Sequence, residues 1–211
     1  MKIFLQLILL ISFITTLKRN MEIEQQISNT KLEYLTKQVK EEFSNLVWTH
    51  KTHEKAADIL RENKKIWELV QASLSAAVTL GLFSTITNVL PELSSVTTII
   101  STAASTALLS ITLYVNGRNF EQEANQHKET ALALWEIREK YKTLMYDIKM
   151  GQISEKDIEK RRDLLLKLTK EVYKIAPRTS AKAFSRANSA IIRGETTTTD
   201  TDFKKILPPG L

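Results

Sequence analysis

The stretch LVQASLSAAVTLGLFSTITNVLPELSSVTTIISTAASTALLSITLYVNG, residues 69–117, carries one charged side chain, Glu92, in a chain whose overall charged content is 26%. Pro91 and Glu92 split it into two uncharged runs, Leu69 to Pro91 and Leu93 to Gly117. Each is longer than the roughly 20 residues a helix needs to cross about 30 Å of hydrocarbon. Leu69, Val70, Leu74, Val78, Leu80, Leu82, Phe83, Ile86, Val89 and Leu90 favour insertion of the first run. Each such side chain contributes roughly 0.3 to 0.6 kcal/mol, against a cost of roughly 2.5 to 3.5 for a central charge. The second run is dense in Ser and Thr, yet Val96, Ile99, Ile100, Leu108, Leu109, Ile111, Leu113 and Val115 keep it apolar. Pro91 lacks a backbone donor and disfavours helix at Leu90, so the chain is expected to turn tightly at Pro91 and Glu92. The expected fold class is an all-α membrane protein: a two-helix transmembrane hairpin, spans 69–91 and 93–117, continued into a long antiparallel helical stalk. A soluble hairpin would need a covering layer, and the remaining chain is too short and too charged to wrap two helices that are apolar all round.

Outward from the hairpin, Lys51, Lys55, Arg61, Lys64 and Lys65 precede the first span, Arg118 and Lys128 follow the second, and the tip has no basic residue. The positive-inside bias therefore places both ends of the hairpin in the cytoplasm. The net charge of +6 and pI near 9.4 suit nucleic acid and an anionic membrane face equally. With no Cys, disulfides, thiolate metal sites and a cysteine nucleophile are excluded. Ile3 to Leu17 is an apolar stretch too short for an ordinary span and without a small-residue cleavage site. Residues 1–20 read either as an uncleaved anchor or as an extension of a protein that begins at Met21.

The segments flanking the membrane (21–68 and 118–192) read as helices. Thr30-Lys31-Leu32-Glu33 has the form of a capping box, and Leu32, Leu35, Val39, Phe43 and Leu46 follow at steps of three and four, with Trp48 just beyond. Phe120, Ala124, His127, Ala131, Leu134, Arg138, Tyr141, Met145 and Ile148 alternate steps of four and three, a heptad seam with two polar interruptions. The two seams are expected to pair as an antiparallel coiled coil running straight out of the bilayer. Gly151 suits a C-cap, Ser154 a following N-cap, and helices are expected up to Pro177 and again from about Ser180 to Ile192. Residues 193–211 lack apolar periodicity and read as a disordered tail.

No residue pattern points to catalysis or a cofactor. His50 and His53 stand at i and i+3, but zinc takes three or four protein ligands, so they read as solvated or stalk-packing side chains. The five glycines are scattered, and neither a nucleophile elbow nor an HExxH motif is present. Arg161, Arg162, Arg178, Lys182, Arg186 and Arg193 are partly interleaved with acids, which favours solvation or anionic lipid over direct nucleic-acid binding. In the membrane, Ser73, Ala77, Gly81 and Thr85 recur at steps of four as a small-residue packing stripe. Thr98, Ser101, Ser105 and Thr112 form a hydroxyl stripe that either packs or lines a pore.

Trp48-Thr49-His50-Lys51 before Ala56-Ala57, then the hairpin, then Tyr141 to Asp147, Gly151 to Ser154, Arg161-Arg162-Asp163 and Tyr173 to Pro177, occur in an order that resembles the SLATT domain, the SMODS- and SLOG-associating two-transmembrane effector, over about residues 25 to 192. The resemblance implies a bacterial inner-membrane protein of a conflict system, oligomerising to perforate the membrane when a partner signals phage infection. Implied partners are the lipid bilayer, further copies of the chain, and a separate nucleotide synthase, SLOG-type sensor or, in a branch that the carboxy-terminal region resembles, a reverse transcriptase. A non-conducting membrane tether is the alternative role. The apolar amino-terminal stretch departs from the family pattern, and no nucleotide-sensing domain is fused.

Overall fold

The computed structural model describes residues 2–87 and 94–197, without the side chains of 2–14, Thr85 and Ser94. Pro91 and Glu92, the expected turn, lie outside the described residues. The elements are α1 (Lys2–Thr87), α2 (Ser94–Arg118), α3 (Phe120–Lys149), α4 (Glu155–Ile175) and α5 (Ala181–Ile192). No strand occurs among the described residues, and the fold is all-α.

Between Lys2 and Gly81 there is neither Gly nor Pro, so nothing breaks the i to i−4 ladder and α1 runs unbroken. The expected capping box at Thr30 is thereby corrected. A cap is needed only where amides lack partners, and here the preceding turn supplies them; the Thr30 hydroxyl instead donates to the Gln26 carbonyl at 2.9 Å. The second arm, expected to leave the bilayer straight, is broken one residue beyond Arg118. Asn119 adopts φ 44°, a left-handed conformation that Asn tolerates, and its side-chain oxygen accepts from the Gln122 amide to open α3.

The chain divides into two compact units, Met1–Val47 with Trp135–Glu171 and Trp48–Leu134 with Val172–Leu211. In the first, the core is built from Leu35, Val39 and Leu46 of α1, Ile137, Tyr141 and Leu144 of α3, and Ile158 and Leu165 of α4. The expected stripe on α1 is the buried one, with Leu32 and Phe43 half-buried at its margins. On α3, Ile137 and Leu144 take the burial expected at Arg138 and Met145, because a helix of 3.6 residues per turn drifts against a seven-residue repeat. Gly151, at φ 66°, ends α3 with its amide bonded to the Ile148 carbonyl, and the Ser154 hydroxyl accepts from the Asp157 amide to start α4. The chain reverses there, so α4 runs parallel to this part of α1: Ser28 donates to Glu155, Lys31 pairs with Glu159 at 3.0 Å and Arg162 donates to Gln38 at 2.6 Å.

The second unit packs on small side chains. Ala56, Ala57, Ala124, Ala131, Ala183, Ala187 and Ala190 are buried with Ile59, Leu60, Phe120 and Leu134. Alanine seams bring helices close, and α5 settles on α1 with Trp48 stacked on Phe184 at 5.6 Å and one Arg186 nitrogen, Nη1, donating to both carboxylate oxygens of Glu62 at 2.7 and 2.8 Å. The tail expected to begin at 193 still packs at its start. Glu195 pairs with Lys51, Lys55 and Arg193, which hold its carboxyl down at about 2. Residues 198–211 lie outside the described residues.

Tyr141 is fully buried in the first unit, and its hydroxyl has no hydrogen-bond partner among the described residues. Burial, with Glu42 beside it, pushes the phenol above its ordinary range. Because that hydroxyl is desolvated without return, Tyr141→Phe should leave stability unchanged or raise it by up to about 1 kcal/mol, while Tyr141→Ala should lose about 3 to 5 kcal/mol. Denaturant melts followed by circular dichroism in detergent check both.

Candidate functional site

The candidate site lies in the second unit. From His53 against His127, through Arg61 with Asn125, Lys64 with Glu121, Trp67 with Tyr114 and Gln71 with Thr112 to Gly81 against Ser101, one residue number rises as the other falls. The second half of α1 and the arm formed by α2 and the start of α3 are therefore an antiparallel pair.

Along the membrane stretch the half-covered positions of α1 are Gln71, Leu74, Val78, Gly81 and Ser84, and those of α2 are Thr97, Ala104, Leu108, Ile111, Thr112 and Val115, with Ser101 buried. Their helical spacing makes them the two sides of one seam. At its narrowest point a Cβ on Gly81 would overlap the Ser101 hydroxyl and approach its Cβ to 3.1 Å. Only glycine allows that approach. Nearer the charged end, the Gln71 amide donates to the Thr112 hydroxyl at 3.2 Å, a polar clasp that the sequence pattern did not single out. An amide on an uncharged run, one turn from Trp67, was the available signal.

Of the expected packing stripe, only Gly81 enters this seam; Ser73 and Ala77 are exposed, and the Thr85 side chain is not described. Of the expected hydroxyl stripe, Ser101 and Thr112 face α1, whereas Thr98 and Ser105 lie open at the seam's edge. The Gln71–Thr112 clasp marks one side of the pair. Helical rotation puts Thr98 and Ser105 on that side and Ser73 and Ala77 on the other. Thr102, Thr106 and Ser110 extend the exposed hydroxyls, and each donates to the carbonyl four residues earlier at 2.8 to 3.0 Å. Ser105 does the same to Ser101 at 2.8 Å. The donors are satisfied within the helix, as lipid requires, while the oxygens keep outward lone pairs.

Among the described residues nothing covers the outer faces. The most apolar stretch of each long helix is 0% and 6% buried, leaving Leu80, Phe83, Ile86, Ile99, Leu109 and Leu113 among the exposed large side chains. In water such a continuous apolar surface is a strong liability, since each Å² left wet forgoes roughly 25 cal/mol. Trp67 and Tyr114 meet edge-on at 5.7 Å between the Lys64–Glu121 pair and the uncharged runs, the place where amphipathic rings sit at a membrane surface.

A model of the SMODS and SLOG-associating 2TM effector domain family 4 matches residues 35–202. The chain belongs to this family. The match takes in both uncovered helices, and this SLATT protein is a membrane protein with a two-span effector domain. No curated protein and no solved structure matches the chain.

At the base of the SLATT hairpin, His53 and His127 lie Nδ1 to Nδ1 at 2.9 Å, with His50 one turn from His53 and itself beside Glu54 at 3.6 Å. All three imidazoles are buried. His50 and His53 are packing residues of α1, and the partner across the pair, His127, is one of the polar interruptions of the α3 seam. Among the described residues no group of three or more His, Cys, Asp or Glu is placed to hold a metal ion. Burial, then the His127 and His50 rings, push His53 down to about 4; burial also lowers His127, against the pull of Glu123. The Nδ1 atoms share a hydrogen bond only while at least one ring nitrogen between them is unprotonated. The basic cluster is largely spent on internal pairs: Arg161 with Asp147, Arg162 with Asp163, Arg186 with Glu62 and Arg193 with Glu195.

Two outcomes are expected. Gly81→Leu should overpack the seam and cost about 1 to 3 kcal/mol, read as a lowered melting temperature in detergent, with Gly81→Ala milder. For His53 the folded state holds its proton more weakly than the unfolded state, so stability is complete above about pH 6.5 and falls as pH drops toward 4, levelling below that. Melts between pH 7.5 and 4 should show this slope, and His53→Gln should flatten it.

Proposed function

We propose that this SLATT protein is the membrane effector of a bacterial anti-phage system, whose hairpins associate on a signal and let ions leak across the inner membrane. The observation that carries this reading is the two-sided hairpin: an open small-residue face at Ser73 and Ala77, and on the opposite side an open hydroxyl edge at Thr98 and Ser105. The first suits close approach by a neighbouring hairpin, and the second offers acceptor oxygens to water or a cation. Two helices cannot enclose an aqueous path, so several copies must assemble. The Lys and Arg flanking the spans favour a cytoplasmic location for both ends of the hairpin.

The family's name ties its members to SMODS and SLOG proteins, which makes a separate nucleotide synthase or SLOG-type sensor the natural source of the signal. A reverse transcriptase as that partner rests on the resemblance of the carboxy-terminal region alone. A tether that recruits a partner to the bilayer without conducting is the competing role.

Bacteria expressing the full chain with its genomic neighbour and trigger should lose membrane potential, as reported by a voltage-sensitive dye. Because Ser101 lies against Gly81, replacing it would disturb the hairpin itself; Thr98→Leu combined with Ser105→Leu tests the open edge instead. A conducting assembly loses its leak in that variant while still reaching the membrane. An unchanged growth arrest with no depolarisation in either protein supports the tether and ends the pore reading.

A further inference from the structure

In the first unit, α4 covers only one flank of the α1–α3 pair. Its contacts fall on Ser28, Lys31 and Gln38 of α1 and on Asp147 of α3. The opposite flank is an open groove of about 520 Å³ lined by Thr36, Lys40 and Phe43 of α1 and Lys142, Met145, Tyr146, Ile148 and Lys149 of α3. Its floor is apolar and aromatic; its rim is three lysines and no acid. Lys142 is held only loosely by Glu139 at 3.7 Å, and Lys40 and Lys149 form no ion pair among the described residues. Lys149 stands in the last turn of α3, where the carbonyl ends favour its positive charge and offset part of it. Half-buried apolar walls with ammonium groups around them that have at most one loose carboxylate partner attract an anion that carries an apolar body. The groove's length is set by seven residue steps on either helix, Thr36 to Phe43 and Lys142 to Lys149, about 10.5 Å at about 1.5 Å per residue, which matches a chain of roughly ten carbons or two fused rings. Its volume falls within the roughly 300 to 1,000 Å³ of small-molecule sites.

We propose that this groove is a binding site for a small amphipathic anion, an apolar body of about that length bearing a carboxylate or a phosphate. The ligand would lie across α1 and α3 with its chain on Phe43, Met145 and Ile148 and its charge between Lys40, Lys142 and Lys149. Its occupancy does not depend on whether the hairpin conducts.

The test uses the full chain in nanodiscs of zwitterionic lipid, with sodium decanoate, decyl phosphate, decanol and decyltrimethylammonium as probes. Acetylation by a membrane-impermeant reagent is read lysine by lysine by mass spectrometry. Decanoate or decyl phosphate should lower labelling of Lys40, Lys142 and Lys149 several-fold and leave the exposed Lys156 and Lys167 unchanged, whereas decanol should protect none of them. Protection by one anion alone assigns the site to a fatty carboxylate or to a lipid phosphate. The double variant K40E/K149E should reverse the preference, so that decyltrimethylammonium protects Lys142, and Met145→Trp should fill the groove and remove protection altogether. Equal protection by decanol, equal protection of Lys156 and Lys167, or no protection at all overturns the proposal.

Discussion

The constraint that organises this protein is a shortage of covering surface. Two helices with almost no charge must be placed somewhere, and among the described residues the other helices pack elsewhere: α5 and the start of α3 on α1 near Ala56 and Ala57, α4 on α1 at Ser28, Lys31 and Gln38. With the apolar stretches 0% and 6% buried, lipid or other copies are the remaining solvents. Each backbone donor in those stretches must then find its acceptor within the helix, and the hydroxyls do likewise, donating one turn back. Apolar bulk, the satisfied hydroxyls and the glycine contact are thus consequences of one solvent.

Within that solvent the hairpin cannot rely on the hydrophobic effect to hold its own helices together, because lipid is as apolar as leucine. What remains is close packing and polar contact. Gly81 supplies the first by leaving room for Ser101, and Gln71 with Thr112 supplies the second. Below the membrane edge the burden passes to water-exposed chemistry: the Trp67–Tyr114 ring pair, Lys64 with Glu121, then the buried imidazoles of His53 and His127. The histidines are there as neutral hydrogen-bonding packers. Their depressed basicity is the cost of placing a titratable group between helices where leucine would also fit.

Much of this was legible in the sequence because charge is segregated so sharply. The spans, the α1 stripe through Leu35, Val39 and Leu46, the C-cap at Gly151 and the helix capped by Ser180 all follow from local patterns that tertiary contacts reinforce. The failures have equally local causes. The capping box at Thr30 matched a motif whose function vanishes when an upstream turn already serves its amides. The break at Asn119 was missed because an asparagine in left-handed backbone carries no periodic signal. The small stripe reads from its spacing as a packing face, and spacing says which residues share a face and not what that face meets: Gly81 meets α2, whereas Ser73 and Ala77 are exposed. Likewise Thr98, Ser101, Ser105 and Thr112 share one side of α2 by spacing, and the edge of the seam runs through that side, with Ser101 and Thr112 facing α1.

That last division matters for how a hairpin of this kind can act. The two arms below the membrane differ in construction: from Trp48 to Thr87 the α1 ladder is continuous, so His53 and Gly81 sit on one rigid rod, whereas the other arm is jointed at Asn119 between Ser101 and His127. The seam itself holds Gln71 and Thr112, and beside it, on the same side, lie the exposed hydroxyls of Thr98 and Ser105. The helices come closest at Gly81, where a Cβ would overlap the Ser101 hydroxyl and approach its Cβ to 3.1 Å. Held by that contact and by the Gln71–Thr112 clasp, the hairpin leaves hydroxyls exposed along one edge and small residues along the other.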